Sequence, residues 1–150
     1  MFSRIVVAVD GSAAAQRAVA AAAALASPDG SEVEVVHVHP WALGAAPSPA
    51  GLGPMPPPDV TPVEDGGDQS ERAIVDHAVE DLLREGIRAT GRIIGTIEPV
   101  AQAVIELARD RDAEVIVLGT RGRSQLSGLL LGSTAYQTIH LASCPVLVVP

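Results

Sequence analysis

The sequence contains no lysine; all ten of its basic residues are arginine. That absence removes one class of function. A P-loop nucleotide hydrolase needs G-x4-G-K-[ST], with the lysine reaching the terminal phosphates. The chain has one cysteine, Cys144, so no intramolecular disulfide can form. It has one Trp, one Tyr and one Phe, so the core must come from Val, Ile, Leu and Ala. No run of about 18 apolar residues occurs, so no membrane span is expected. The start, MFSRIVVAVDGS, lacks a basic region followed by a long apolar run and a cleavage site. No signal peptide is therefore expected, and the expected location is cytoplasmic. Positive charge is scarce: the formal net charge is −8 and the pI about 4.8. Such a balance disfavours nucleic-acid and anionic-membrane partners, which need clustered positive charge. Any bound polyphosphate must be held by a local site.

What is present is a globular pattern. The 150 residues are 47% hydrophobic, enough to bury one core, and residues 1–150 read as a single domain without internal repeat. Residues 4–9, RIVVAV, are a short apolar run, as expected of a strand buried on both faces. Asp10-Gly11-Ser12 interrupts it, and Ser12 is a good N-cap. Residues 13–26 hold ten alanines in fourteen positions and predict a helix that can lie close to a sheet. Residues 32–38 predict a second strand, stopped by Pro40. Strand, helix, strand in this space is a βαβ unit with a right-handed crossover.

Eight of the twelve prolines lie between Pro40 and Pro62, so residues 40–69 predict neither helix nor central strand. A loop of this length is either a functional lid or a tolerated insertion. Residues 70–85 predict an amphipathic helix with Ile74, Val75, Ala78, Val79, Leu82 and Leu83 on one face and Gly86 just past its end. Residues 87–94 read as a weaker strand whose polar content suggests an edge or partly exposed position. A helix over 99–110, starting at Pro99, turns Val100, Val104, Ile105, Leu107 and Ala108 inward. Strand 114–118, helix 133–142 and strand 145–149 complete the chain. The pattern predicts an open, doubly wound α/β domain: five parallel strands, helices on both faces, Rossmann-like, with strand order 3-2-1-4-5.

In such a sheet, ligands bind at the carboxyl ends of the strands, where strand order reverses. The first strand ends at Asp10 and the fourth at Gly119. Gly119-Thr120-Arg121-Gly122 is a tight turn that lets backbone N–H groups converge on an anion. Gly132-Ser133 opens a helix, whose first amides and serine hydroxyl can hold a phosphate. No Asp or Glu occurs from 115 to 134, while Arg121 and Arg123 do. The whole signal is G-x2-G-x9-G-S, after a buried strand and before a helix.

This pattern resembles the ATP-binding motif of the universal stress protein family. The resemblance extends over VVAVDGS, VVHV, DAEVIVLGTRGRS, LLLGS and CPVLVV, nearly the whole chain apart from the Pro-rich stretch. GTIEP at 95–99 departs from it, since the family usually has a shorter Gly-x-Pro turn. The resemblance implies a bound adenine nucleotide, ATP with Mg²⁺. Asp10 would lie near the ribose with Ala8 and Val9 beside it, and Val38 would meet the adenine through its backbone. Gly119, Gly122, Gly132 and Ser133 would hold the phosphates, with Thr134 adjacent. Arg121 and Arg123 either neutralise them or are solvated loop charges. It also implies a homodimer through the terminal strand, 145–149.

Two alternatives stay open: AMP or cyclic AMP in the same site, or a protein-interaction module without nucleotide. The dinucleotide fingerprint G-x-G-x-x-G is absent after the first strand, which disfavours NAD. No catalytic set is visible, so any ATP hydrolysis is expected to be slow. His37 and His39 share a strand face and could reach a metal, but with no third ligand nearby they read as an incidental pair. His77 is expected on an exposed helix side and His140 in the last helix. Cys144 reads as a buried small residue.

Overall fold

The computed structural model describes residues 1–40, 68–120 and 131–150. The strands are β1 (Arg4–Ala8), β2 (Glu32–Pro40), β3 (Arg88–Thr96), β4 (Val115–Gly119) and β5 (Val146–Val149). The helices are α1 (Ala13–Leu25), α2 (Gln69–Arg84), α3 (Val100–Asp110) and α4 (Ser133–Leu141). All pairings are parallel, in the order β3-β2-β1-β4-β5. The sheet is the doubly wound one the sequence predicts, with β3 and β5 at its edges.

Strand alternation sorts the core into two layers. Ile5 and Val7 of β1, and Val9 just past it, join Val33 and Val35 of β2 beneath α1 and α2. Val6 of β1 and Val36 and Val38 of β2 join Ile116 and Leu118 beneath α3, with Ala135 of α4 in the same layer. The central strands are therefore apolar at nearly every position because each face has its own cover. Ala18 and Ala22 of α1 are fully buried, so the alanines place this helix close to the sheet.

The predicted caps form. The Ser12 side chain accepts the Ala15 N–H at 3.1 Å. Gly86 has φ +78, and its N–H donates to Leu83 O while the Ile87 N–H donates to Leu82 O. These two bonds make a Schellman ending, in which a positive φ favours glycine. Pro99 is the residue preceding α3 rather than its first helical residue. In the longer turn before it, the Glu98 N–H donates to Thr96 Oγ1 at 2.9 Å.

Three expectations change. The stretch 40–69 falls mostly outside the described residues; at its margins Pro40 closes β2, and Asp68 and Gln69 open α2. Leu83 does not join the buried face of α2: it is 54% exposed, because the helix turns only Val75, Ala78 and Leu82 fully inward among its apolar residues. Cys144 is half-buried rather than buried, and burial pushes its thiol above the usual value. That shift disfavours the nucleophilic thiolate.

Candidate functional site

β1 and β4 are neighbours, with Val7 paired to Val117, so their carboxyl ends open side by side. The Val9 N–H donates to Val36 O at 2.9 Å and carries the β1–β2 pairing one residue past β1. Asp10 follows. Its Oδ1 accepts the Ser12 N–H at 3.0 Å, an Asx turn that leads directly into the α1 cap. Ala8 and Asp10 are half-buried, and Val9 and Val38 are buried.

The other wall comes from β4 and α4. The Thr120 N–H donates to Val149 O at 2.7 Å, anchoring the end of β4 to β5. The Gly132 N–H donates back to Thr120 O at 2.6 Å. This bond draws the start of α4 to the end of β4, although twelve positions separate the two residues. Gly132 is the N-cap with an extended backbone, and it has no side chain to cap the helix. Among the described residues no side chain caps the first amides of α4, and such amides suit water or a ligand. Ser133 is exposed and Thr134 half-buried. Thr134 O accepts the Thr138 hydroxyl at 2.8 Å, so Thr138 is a satisfied buried polar residue.

Gly119 has a packing reason to be glycine as well. A Cβ there would lie 2.8 Å from Ala14 Cβ and 2.9 Å from the Ala14 carbonyl carbon. The first turn of α1 therefore rests on the end of β4, and this close approach tolerates no side chain. Of the sequence-predicted site residues, the structure gathers Ala8, Val9, Asp10, Val38, Gly119, Gly132, Ser133 and Thr134 at the carboxyl end of the sheet. Arg121, Gly122 and Arg123 lie outside the described residues.

At the same end stands a group the sequence does not reveal. His37 and His39 are not an incidental pair: both face the carboxylate of Glu71, from the first turn of α2. Glu71 Oε1 lies 3.4 Å from His37 Nε2 and 2.5 Å from His39 Nδ1. Glu71 Oε2 accepts the Asp68 N–H at 3.1 Å, while Asp68 Oδ1 accepts the Ser70 and Glu71 N–H groups, a capping box. His37 Nδ1 lies 2.8 Å from Val9 O. Burial opposes ionisation of Glu71. The bonds from His39 and the Asp68 N–H, with the nearby imidazole charge, outweigh it and hold the carboxyl below its usual 4.5. The D-x-x-E spacing at 68–71 is the one sequence signal that could have exposed half of this arrangement. Among the described residues, no cluster of three or more His, Cys, Asp or Glu is arranged to hold a metal. The remaining histidines follow expectation: His77 is exposed, and His140 donates to Tyr136 O within the last turn of α4.

A family model for the universal stress protein family matches residues 1–150. The chain belongs to the universal stress protein family. It is 30% identical over 149 residues to a universal stress protein of Bacillus subtilis, covering 99% of each chain. Its fold is similar to that of the universal stress protein from Archaeoglobus fulgidus in complex with dAMP, with TM-score 0.68 and 24% identity over 99% of this chain and 98% of that one. It is similar also to a universal stress protein in complex with cAMP, with TM-score 0.69 and 22% identity over 99% of this chain and 96% of that one. Among the described residues, no helix is long and apolar enough to cross a membrane.

Proposed function

We propose that this member of the family is a one-domain, cytoplasmic regulatory protein that binds an adenine nucleotide at the carboxyl ends of β1 and β4. The observation that carries this reading is the Gly132–Thr120 bond. It sets the uncapped start of α4 beside the end of β4, across from Asp10, in the crevice where open α/β sheets bind ligands. Two similarly folded family members hold dAMP and cAMP, which supports the same ligand class here.

We favour ATP, since the G-x2-G-x9-G-S pattern of 119–133 carries more glycine amides than one phosphate needs. Mg²⁺ would then enter with the triphosphate, bound by its oxygens. Among the described residues of the two walls, the carboxylate of Asp10 is held by the Ser12 N–H, which supports slow hydrolysis. Occupancy would act by ordering the walls of the crevice and changing a surface that a partner reads.

Calorimetric titration with ATP, AMP and cyclic AMP tests the assignment. Ser133→Asp is the informative variant. A carboxylate in the first turn favours the helix, yet it opposes a bound phosphate, so folding should hold while affinity falls about tenfold. Absence of binding to the unaltered protein would overturn the nucleotide reading.

We also propose a homodimer through β5. The strand is at a sheet edge, and Leu147 is exposed beside exposed Tyr136, Ile139 and Leu141 of α4. An apolar edge of this kind is best covered by a second copy. A light-scattering mass equal to the 15.3 kDa chain would overturn it.

A further inference from the structure

The proton count of the His37–Glu71–His39 group is incomplete when both imidazoles are neutral. Val9 O can only accept, so His37 Nδ1 must donate to it. An ionised Glu71 can only accept, and His39 Nδ1 donates to its Oε1. That leaves His37 Nε2 facing the same oxygen at 3.4 Å, lone pair against lone pair. One added proton on Nε2 completes the His37–Glu71 bond and takes the summed charge of these three side chains from −1 to neutral. His37 is only 5% exposed, so the alternative of turning to water is poor.

Among the described residues, the neighbouring groups leave this proton as the variable one. On α2, Asp68 is engaged in the cap and Arg72 is exposed. On β3, the positions opposite His37 and His39 are Ile93 and Gly95, which do not titrate. The first turn of α1 carries no acidic residue, and Asp10 is tied to the Ser12 N–H. The group joins three elements: it grips the carbonyl of Val9, one residue before Asp10; it flanks Val38 on both sides; and it caps α2.

We propose that His37, Glu71 and His39 form a proton switch that positions the Val9–Asp10 end of β1 and couples occupancy of the crevice to pH. His37 is a positioning residue, acting through the Val9 carbonyl. The coupling part rests on the nucleotide reading. Its sign follows from charge: loading the proton removes a negative charge beside an anionic ligand, so binding tightens as pH falls toward the histidine range.

Glu71→Gln tests this while preserving the cap, because glutamine also serves at the third position of a capping box. Nuclear magnetic resonance of the free protein should show His37 and His39 titrating together, with the Asp10 and Gly11 amides following the same midpoint. In Glu71→Gln the two rings should titrate separately. Independent titration in the unaltered protein, or amides that ignore it, overturns the switch. For the coupling, cyclic AMP is the probe, since its phosphodiester charge stays constant in this range. Affinity should be about fivefold tighter near pH 6 than near pH 8 in the native protein, and equal at both in Glu71→Gln. Binding to the native protein without that ratio overturns the coupling. Absence of binding at both pH values overturns the nucleotide reading, and the resonance titration still decides the switch.

Discussion

The two ends of the sheet are both polar, but they are built differently. At the amino ends, a hollow of about 320 Å³ is lined by Arg4, Glu32, Glu34, Arg88 and Arg111 among others. Here the charges answer one another. Glu34 accepts from Arg92 Nε at 2.7 Å and from Arg111 Nε at 2.8 Å. Arg88 lies 3.5 Å from Glu32, and Arg4 donates to Asp112 O while lying 3.9 Å from Glu114. At the carboxyl ends of β1 and β4 the described walls offer mainly backbone: Gly119, Gly132 and the start of α4, which has no side-chain cap. A hollow whose guanidinium groups already have carboxylates offers an anion little that is new, since each contact must displace an existing one. A start of helix without a side-chain cap offers donors that have no better partner than water. The difference favours the carboxyl end as the candidate ligand site.

The contrast can be broken from either end. The largest effect is expected from Gly119→Val, which drives a side chain into Ala14 and should cost about 3 kcal/mol of stability in a urea titration. Because the strain falls at the end of β4, nucleotide affinity should drop with it. Next is Glu34→Ala, which removes the carboxylate shared by Arg92 and Arg111, whose own side chain is 11% exposed. It should cost about 2 kcal/mol in the same measurement while leaving nucleotide affinity unchanged. A loss of affinity there would mean that the two ends are not independent. The smallest effect on stability, within about 0.5 kcal/mol, is expected from Leu147→Arg, which touches neither end. Its consequence should appear in light scattering, as loss of the dimer, with the crevice unaffected.

Much of this architecture is local and therefore readable along the chain. The apolar runs at 4–9 and 114–118 announce strands covered on both faces, and the alanines of 13–26 announce a helix held close to them. Ser12 and Gly86 mark helix limits through their own backbone and side-chain chemistry. The polar content of β3 already suggests an edge. Leu83 shows where periodicity stops helping. It satisfies the helical repeat, yet it stands 54% exposed.

The proposed motif is legible because a phosphate-binding backbone would need glycine at fixed places in sequence. The meaning of some of those residues is not. Gly119 reads as a phosphate turn, and only the packing shows that α1 also demands it. His37 and His39 read as a pair without a third partner, because Glu71 lies more than thirty positions away beyond the Pro-rich stretch. Glu34 likewise looks like an ordinary polar position between two buried valines until Arg92 and Arg111 arrive from β3 and the end of α3. By itself the sequence determined the order of elements, their limits, the parallel sheet and the place of the crevice, since periodicity, caps and glycine turns act over a few residues. The tertiary structure alone decided which charges meet, because hydrogen bonds and ion pairs depend on distances across the sheet that no local pattern encodes.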